Sequence, residues 1–260
     1  MSGGTVVYLN GATSSGKTTL AEALHGSLPG PWLRVEADRF FGMLSRDHSR
    51  MTNAVVASVH TFAAGAAAAG LNAVVDGLLT ARDWLKDAAD KLADHRAFLV
   101  AVRCPLEELE RREAARGDRR VGAARAQYDF IHAHGTYDLE LDTSRASPAD
   151  CAAQIAALLA SGAAPTAFRR LRGSAYLRDE AAYGWVLARG ATGPGVRRLQ
   201  ADLRRLGHDP GAVDGVFGER TEAALRAFQE RHGLPPEGVL WPRGVKAILD
   251  ALARTAVTGR

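Results

Sequence analysis

The sequence predicts an α/β fold, a doubly wound parallel sheet, followed by a small all-α unit of three helices. Three observations carry that expectation. Up to about residue 160, short apolar runs alternate with helical patterns, the rhythm of strands joined by crossover helices. A glycine-rich loop with a following lysine falls between the first run and the first helical stretch. Beyond about residue 193, apolar residues recur only at helical spacing.

Taken in order, the strand candidates are residues 5–10, 32–35, 73–78, 97–102 and 138–141. Several are near-continuous Val and Leu, as strands covered on both faces require. The helical stretches between them are 17–28, 53–69, 81–93, 106–116 and 148–159. Ala63 to Gly70 is almost pure Ala and Gly, which reads as a closely packed helix, and Pro148 suits a first helical turn. Residues 1–162 form the first predicted domain and 163–192 a linker with an ordered insert bearing Tyr176, Tyr183 and Trp185. Residues 193–260 form the second. There Val196, Leu199, Leu203 and Leu206 make one amphipathic helix, Ala224, Leu225 and Phe228 a second, and Val245, Ile248, Leu249 and Leu252 a third.

Composition narrows the function. The chain of 260 residues is 47% hydrophobic and 24% charged, which excludes a wholly disordered protein and leaves material for a core. No run approaches the roughly 20 apolar residues of a membrane span, and the first residues lack the pattern of a secretory signal, so a cytoplasmic location without membrane partners is expected. Two cysteines, Cys104 and Cys151, neither form a disulfide framework nor sit at metal-ligand spacing. The net charge of +4 is uneven: residues 1–164 hold 17 Lys+Arg against 19 Asp+Glu, residues 165–260 hold 16 against 10. The basic excess is spread along helix faces without interleaved aromatics, a solvated surface rather than a nucleic-acid site. His132 and His134 lack a third ligand at a recognised spacing and read as a polar pair.

Gly11-Ala12-Thr13-Ser14-Ser15-Gly16-Lys17-Thr18 fits G-x4-G-K-S/T and is followed by Thr19. Glycines let the backbone N–H groups wrap a phosphate and the helix N-terminus adds positive potential, so these nine residues are the candidate nucleotide-phosphate site. Lys17 would reach the β- and γ-phosphates of ATP, and the Thr18 hydroxyl would ligate Mg2+. Arg111, Arg112, Arg116, Arg119 and Arg120 crowd one helix end, with Gly117-Asp118 between them. They suit an arginine lid over phosphates, the alternative being a solvated helix paired with Glu107, Glu108, Glu110 and Glu113. Asp38, at the end of the second strand, is placed to accept the proton of an attacking hydroxyl. Asp76, ending the third, suits a magnesium ligand acting through water; either Asp could instead cap a helix.

Together with Pro31-Trp32-Leu33, Val102-Arg103-Cys104-Pro105, Glu110 to Arg119 and Tyr137 to Thr143, these residues resemble the chloramphenicol phosphotransferase family of P-loop kinases over residues 4–160. The resemblance implies a five-stranded parallel sheet and ATP-dependent phosphorylation of a hydroxyl on a small antibiotic. It assigns Asp38 as the base, Lys17, Arg116 and Arg119 to the transferred phosphoryl, Arg112 to the adenine, and Thr143 and Ser144 to the edge of its pocket. The segment from Phe40 to Met51 departs from the family, so the reaction type carries over and chloramphenicol itself does not. Phe40, Phe41, Met43, Arg46 and His60, with Asp38 and Asp76, are the candidate acceptor contacts.

The second domain resembles the peptidoglycan-binding-like helical domain through Val196 to Gln200, Asp214 to Gly218, Thr221, Ala227-Phe228-Gln229 and Gly238-Val239-Leu240. It is expected to serve docking, oligomerisation or substrate specificity, which truncation after Ala160 would test. The leading function is a small-molecule O-phosphotransferase acting on a hydroxylated acceptor. The alternatives are a zeta-toxin-like kinase of nucleosides or sugar nucleotides, and a nucleotide-gated binding protein.

Overall fold

The computed structural model describes residues 3–44, 52–80, 82–116, 122–128, 131–174, 177, 187–240 and 242–258. Strands β1 (Thr5–Asn10), β2 (Trp32–Glu36), β3 (Asn72–Asp76), β4 (Arg96–Arg103) and β5 (Leu139–Asp142) form one sheet in the order β2-β3-β1-β4-β5. Every pairing is parallel. β1 is central, with Val7 opposite Val74 of β3 and Phe98 of β4, so its backbone is bonded on both sides. All five strands were foreseen; β3 stops at Asp76 rather than running on to residue 78.

Helices α1 (Lys17–Ser27) and α7 (Pro148–Ala160) cover one face of the sheet, closing Val7, Leu9, Val74, Val100 and Val102 over Leu20, Leu24 and Ile155. A fully buried aliphatic side chain of this kind contributes about 1.5–3 kcal/mol. α7 starts in a capping box, in which Ser147 and Asp150 satisfy each other's backbone N–H groups, with Pro148 in the first turn. Helices α3 (Thr52–Ala68), α4 (Arg82–Leu92) and α5 (Leu106–Arg116) complete the long crossovers. On α3, Ala63 and Ala67 are fully buried, as their small side chains foretell.

Three six-residue helices, α2 (Ala37–Gly42), α6 (Ala123–Tyr128) and α8 (Ala167–Arg172), escape the periodicity argument. One and a half turns cannot display a period. α8 begins where the Asp138 carboxylate accepts from the N–H groups of Thr166 and Ala167 at 2.7 and 3.0 Å. It buries Phe168 edge-on against Tyr8 at 6.0 Å, and Arg172 forks onto Asp94 at 2.6 and 2.8 Å. The first compact unit accordingly runs from Met1 to Arg172 and the second from Gly173 to Arg260. Tyr176, Tyr183 and Trp185 lie outside the described residues.

The second unit packs α9 (Pro194–Arg205), α10 (Glu219–Arg231) and α11 (Pro242–Thr258) around Leu199, Leu203, Phe217, Phe228 and Ile248. Isolated antiparallel bridges tie Leu187 to Leu240 and Thr192 to Val216. Among the described residues, no helix is long and apolar enough to cross a membrane.

Two glycines give opposite expectations. A Cβ on Gly77, just after β3, would lie 2.3 Å from the Tyr8 hydroxyl, whereas one on Gly65, exposed in the middle of α3, meets nothing within 4 Å. Gly77→Ala should destabilise by about 1–3 kcal/mol through overpacking. Gly65→Ala should stabilise by about 0.5–1 kcal/mol through helix propensity. Denaturation midpoints of the two variants check both signs.

Candidate functional site

β1 turns into α1 through residues 11–16, at the carboxyl edge of the sheet, where open α/β folds place ligands. A Cβ on Gly11 would sit 2.3 Å from the Val102 carbonyl, so glycine is dictated there by the close approach of β4. Gly16 takes φ 86°. Ser14, at φ 64°, is alone among the described non-glycine residues in having positive φ. Fixed peptide groups hold the loop: the Ser15 N–H donates to the Ala12 carbonyl at 3.2 Å, and the Lys17 ammonium donates to the Gly11 and Ala12 carbonyls at 2.7 and 2.9 Å.

This cradle fits a phosphate chain. Among the described residues, α1 has no acidic residue in its first turn and no side-chain cap, so its N-terminal N–H groups and positive pole face outward. The Ser14 and Ser15 hydroxyls are buried with no hydrogen-bond partner, donors waiting for an acceptor. The Thr18 hydroxyl donates to the Asp76 carboxylate at 2.6 Å. Two oxygen donors side by side beside the loop suit Mg2+, which takes one or two protein oxygens together with phosphate and water. Burial pushes the Asp76 carboxyl up, with Lys17 and the Thr18 hydroxyl opposing and Asp38 reinforcing.

A crevice of about 170 Å3 brings Lys17, Thr18, Asp38, Asp76 and Arg116 together with Thr13, Ser14, Ser15, Gly16 and Thr19. Asp38 does not end a strand, as the sequence suggested; β2 stops at Glu36 and Asp38 stands in the first turn of α2. Glu36 also lines the crevice, a residue the sequence reading passed over, and is held by Arg34 at 2.6 Å and Arg39 at 3.0 Å.

A second cavity of about 440 Å3 opens beside Arg112, Arg116, Thr143 and Pro148, with Ser14, Gly16 and Thr19 on its loop side. Arg112 donates to the Thr143 hydroxyl at 3.2 Å and carbonyl at 2.9 Å. Ser144 is absent from that lining; its hydroxyl donates to Asp142 at 2.6 Å. Arg111 follows the bland reading, forked onto Glu108 at 2.7 Å, while Arg112 donates to Glu108 as well. These bonds hold the Glu108 carboxyl down at about 2.

Of the expected acceptor contacts, Asp38 and Asp76 line the crevice, while Phe40, Phe41, Met43 and His60 do not. His60 is fully buried, its ring bonded to the Tyr8 hydroxyl at 3.0 Å and to Asp87 at 2.7 Å, so its place is in the core behind the sheet. Phe40 stands edge-on to Phe62 at 5.8 Å and Met43 is exposed; neither they nor Phe41 line the crevice. Arg46, Arg119 and Arg120 lie outside the described residues.

A third cavity, of about 460 Å3, lies behind the loop between Ala12, Cys104, Leu109, Ile131 and His132. Cys104 is buried, and burial pushes its thiol up. Residues without a recognisable motif frame this region. Asn10, fully buried, donates to the Ile131 carbonyl at 3.0 Å and the Tyr137 hydroxyl at 2.9 Å and accepts from the Leu79 N–H at 3.0 Å. Among the described residues, no group of three or more His, Cys, Asp or Glu could hold a metal.

A parallel sheet in this order, with a G-x4-G-K-T loop after its central strand and arginines after the fourth, defines a P-loop kinase fold. Within that class, residues 4–160 match the family described as chloramphenicol phosphotransferase-like protein, and the chain belongs to it. Residues 192–243 match the domain described as "Putative peptidoglycan binding domain". The Mycobacterium tuberculosis protein named "Putative O-phosphotransferase Rv2636" is 28% identical over 199 residues, covering 65% of this chain and 88% of its own length. The spore cortex-lytic enzyme of Bacillus cereus is 50% identical over 72 residues, covering 28% of each chain. Among solved structures, the Mycobacterium tuberculosis APS kinase CysC in complex with AMPPNP and APS superposes with a TM-score of 0.50 at 20% identity, covering 62% of this chain and 99% of that one. That likeness concerns the fold.

The histidines behind the loop give this region a pH dependence. Burial, with Arg103 nearby, drives His132 and His134 down to about 3. Below the ordinary histidine pKa of about 6.5 the unfolded chain takes up protons that the folded chain refuses, so stability is lost as the pH is lowered. From pH 7 to pH 5 the unfolding free energy should drop by about 2 kcal/mol for each of the two. Urea midpoints at the two pH values measure it, and an unchanged midpoint would place both rings in contact with water.

Proposed function

We propose that this protein is an ATP-dependent O-phosphotransferase that phosphorylates a hydroxyl of a small molecule, an antibiotic-type acceptor, and so inactivates it. The observation that carries the reading is the convergence of Lys17, Thr18, Asp38, Asp76 and Arg116 on one crevice. A loop that only held a nucleotide would not need the further carboxylate of Asp38 in the same crevice.

In this reading, the loop N–H groups, the Ser14 and Ser15 hydroxyls and the pole of α1 receive the β- and γ-phosphates. Lys17 leaves the loop carbonyls for phosphate oxygen, exchanging two neutral acceptors for an ionised one. Thr18 and Asp76 hold Mg2+, which when bound neutralises charge on the β- and γ-phosphates. Asp38 accepts the proton of the acceptor hydroxyl as its oxygen bonds to the γ-phosphorus in line, the bond from that phosphorus to the β,γ-bridging oxygen breaks, and ADP leaves. Arg116, shared by the crevice and the neighbouring cavity, meets the charge that spreads over the transferred phosphoryl. The cavity beside Arg112 and Thr143 takes the adenine.

The reading places the protein in the cytoplasm, where ATP is made. The second unit serves docking, oligomerisation or specificity. Its test is a chain ending at Arg172 rather than at Ala160, because the earlier cut would remove α8 from the first unit. Kinetics and oligomeric state equal to those of the full chain would remove all three roles.

Incubation with Mg-ATP and a panel of hydroxylated antibiotics, nucleosides and UDP-sugars, read by mass spectrometry, tests the activity. One antibiotic should gain a single phosphoryl group. Asp38→Asn should retain ATP binding and slow turnover about 100-fold or more, the scale of a lost general base. Lys17→Ala should abolish productive nucleotide binding. Full turnover by Asp38→Asn would reject the base, and a UDP-sugar product would move the acceptor to the sugar nucleotides.

A further inference from the structure

The phosphate loop contains a conformational cost that its own turn, closed by the Ser15 N–H on the Ala12 carbonyl at 3.2 Å, shares with side chains from outside the loop. Ser14 occupies the left-handed region that a residue with a Cβ disfavours. Such a residue persists where its surroundings over-determine it. The peptide groups one residue removed from Ser14 on either side, Ala12–Thr13 and Ser15–Gly16, show what does so. Before it, the Thr13 N–H donates to the Gln127 side-chain carbonyl at 2.7 Å, a bond between residues 114 positions apart. After it, the Ser15 carbonyl accepts from the Thr143 hydroxyl at 2.8 Å. Ser14 is gripped from both flanks, by side chains of α6 and of the turn after β5.

The Gln127 grip is itself anchored. Glu113, one turn before Arg116 on α5, is fully buried, and its carboxylate accepts from the N–H groups of Gly122 at 2.7 Å and Ala124 at 2.9 Å. It fixes the start of α6. At the other end, the Gln127 carbonyl accepts from the Ile131 N–H at 3.0 Å, and the Ile131 carbonyl accepts from Asn10, the residue just before the loop. The amide of Gln127 is therefore carried on a frame fastened to α5 and to the end of β1. A side chain borne only by a solvent-facing helix could not impose a backbone angle on the loop.

We infer that Gln127 is a positioning residue for nucleotide binding: it holds the Ala12–Thr13 peptide, and through it the turn at Ser14, in the conformation in which the loop N–H groups converge on the phosphates. The inference rests on reading this loop as a nucleotide site. It assigns Gln127 no contact with the nucleotide.

The test is binding of a fluorescent ATP analogue, mant-ATP with Mg2+, to the full chain. Gln127→Met keeps the length and helix preference and removes the acceptor; it should raise Kd about tenfold while the thermal midpoint without nucleotide moves little. Gln127→Asn, one methylene too short to reach, should do the same and serves if the Met variant folds poorly. The decisive arm is Ser14→Gly, which removes the Cβ that makes φ 64° costly. In that background Gln127→Met should cost less than about threefold in Kd, because the angle no longer needs to be imposed. A Kd unchanged by both Gln127 variants overturns the inference. So does an equal cost with Ser14 and with Gly at that position, which would make Gln127 a general support. A wild-type chain that binds no mant-ATP removes the nucleotide reading and this inference with it. Nucleotide binding intact but no phosphoryl transfer across the acceptor panel would reject the proposed function and leave Gln127 in place.

Discussion

The arrangement depends on how the buried end of β1 is satisfied. A central parallel strand is covered on both faces, and the chain that leaves it must find partners for polar groups that water does not reach. Asn10 supplies them: its amide joins the segments around Leu79, Ile131 and Tyr137. A buried amide that lost one of these bonds would cost about 1–3 kcal/mol. An apolar residue there would cut the Leu79 N–H off from the other two segments, which keep a bond of their own from the Tyr137 hydroxyl to the Ile131 carbonyl at 3.3 Å. Because the same three segments border the phosphate loop, one buried side chain sets both the packing of the sheet edge and the shape of the cradle.

From that edge, charge is distributed with a direction. The uncapped pole of α1 and the Lys17 ammonium give the crevice its positive walls and Asp76 and Asp38 its negative ones, with Glu36 already paired to Arg34 and Arg39. Asp76 shows the tension in this arrangement, since burial disfavours its charge while Lys17 and Thr18 restore it. A divalent cation and a polyphosphate entering together would relieve both walls at once. Either alone would leave like charges facing each other.

How much of this was legible depended on the range of the interaction. The strands and long helices announce themselves in periodicity, and G-x4-G-K-T announces its loop because every residue in it acts locally. α2, α6 and α8 are too short for a period, so Asp38 was assigned to a strand end and residues 163–192 to a linker. The side chains that hold the loop act at a distance: Gln127 on Thr13, Thr143 on Ser15, Glu113 on the start of α6. Nothing in the neighbourhood of Gln127 marks it. His60 illustrates the converse. On sequence it was a candidate for the acceptor, yet its partners Tyr8 and Asp87, 52 and 27 positions away, take both ring nitrogens into the core.

The second unit shows what a resemblance between sequences can carry. The residues that make it similar to a peptidoglycan-binding domain are committed to the fold. Gln200 accepts from the Gly215 N–H and donates to Asp214, Val216 and Thr221, at 2.9 to 3.1 Å. Gln229 accepts from the Gly238 N–H at 3.0 Å and donates to the Val239 carbonyl at 2.8 Å. Leu199, Phe217 and Phe228 fill the core. A unit this small has few apolar side chains to bury, so its turns are fastened by buried amides. Such a pattern reports how the chain is held together. A ligand would have to be read from the exposed positions between these residues, which are free to change while the fold persists.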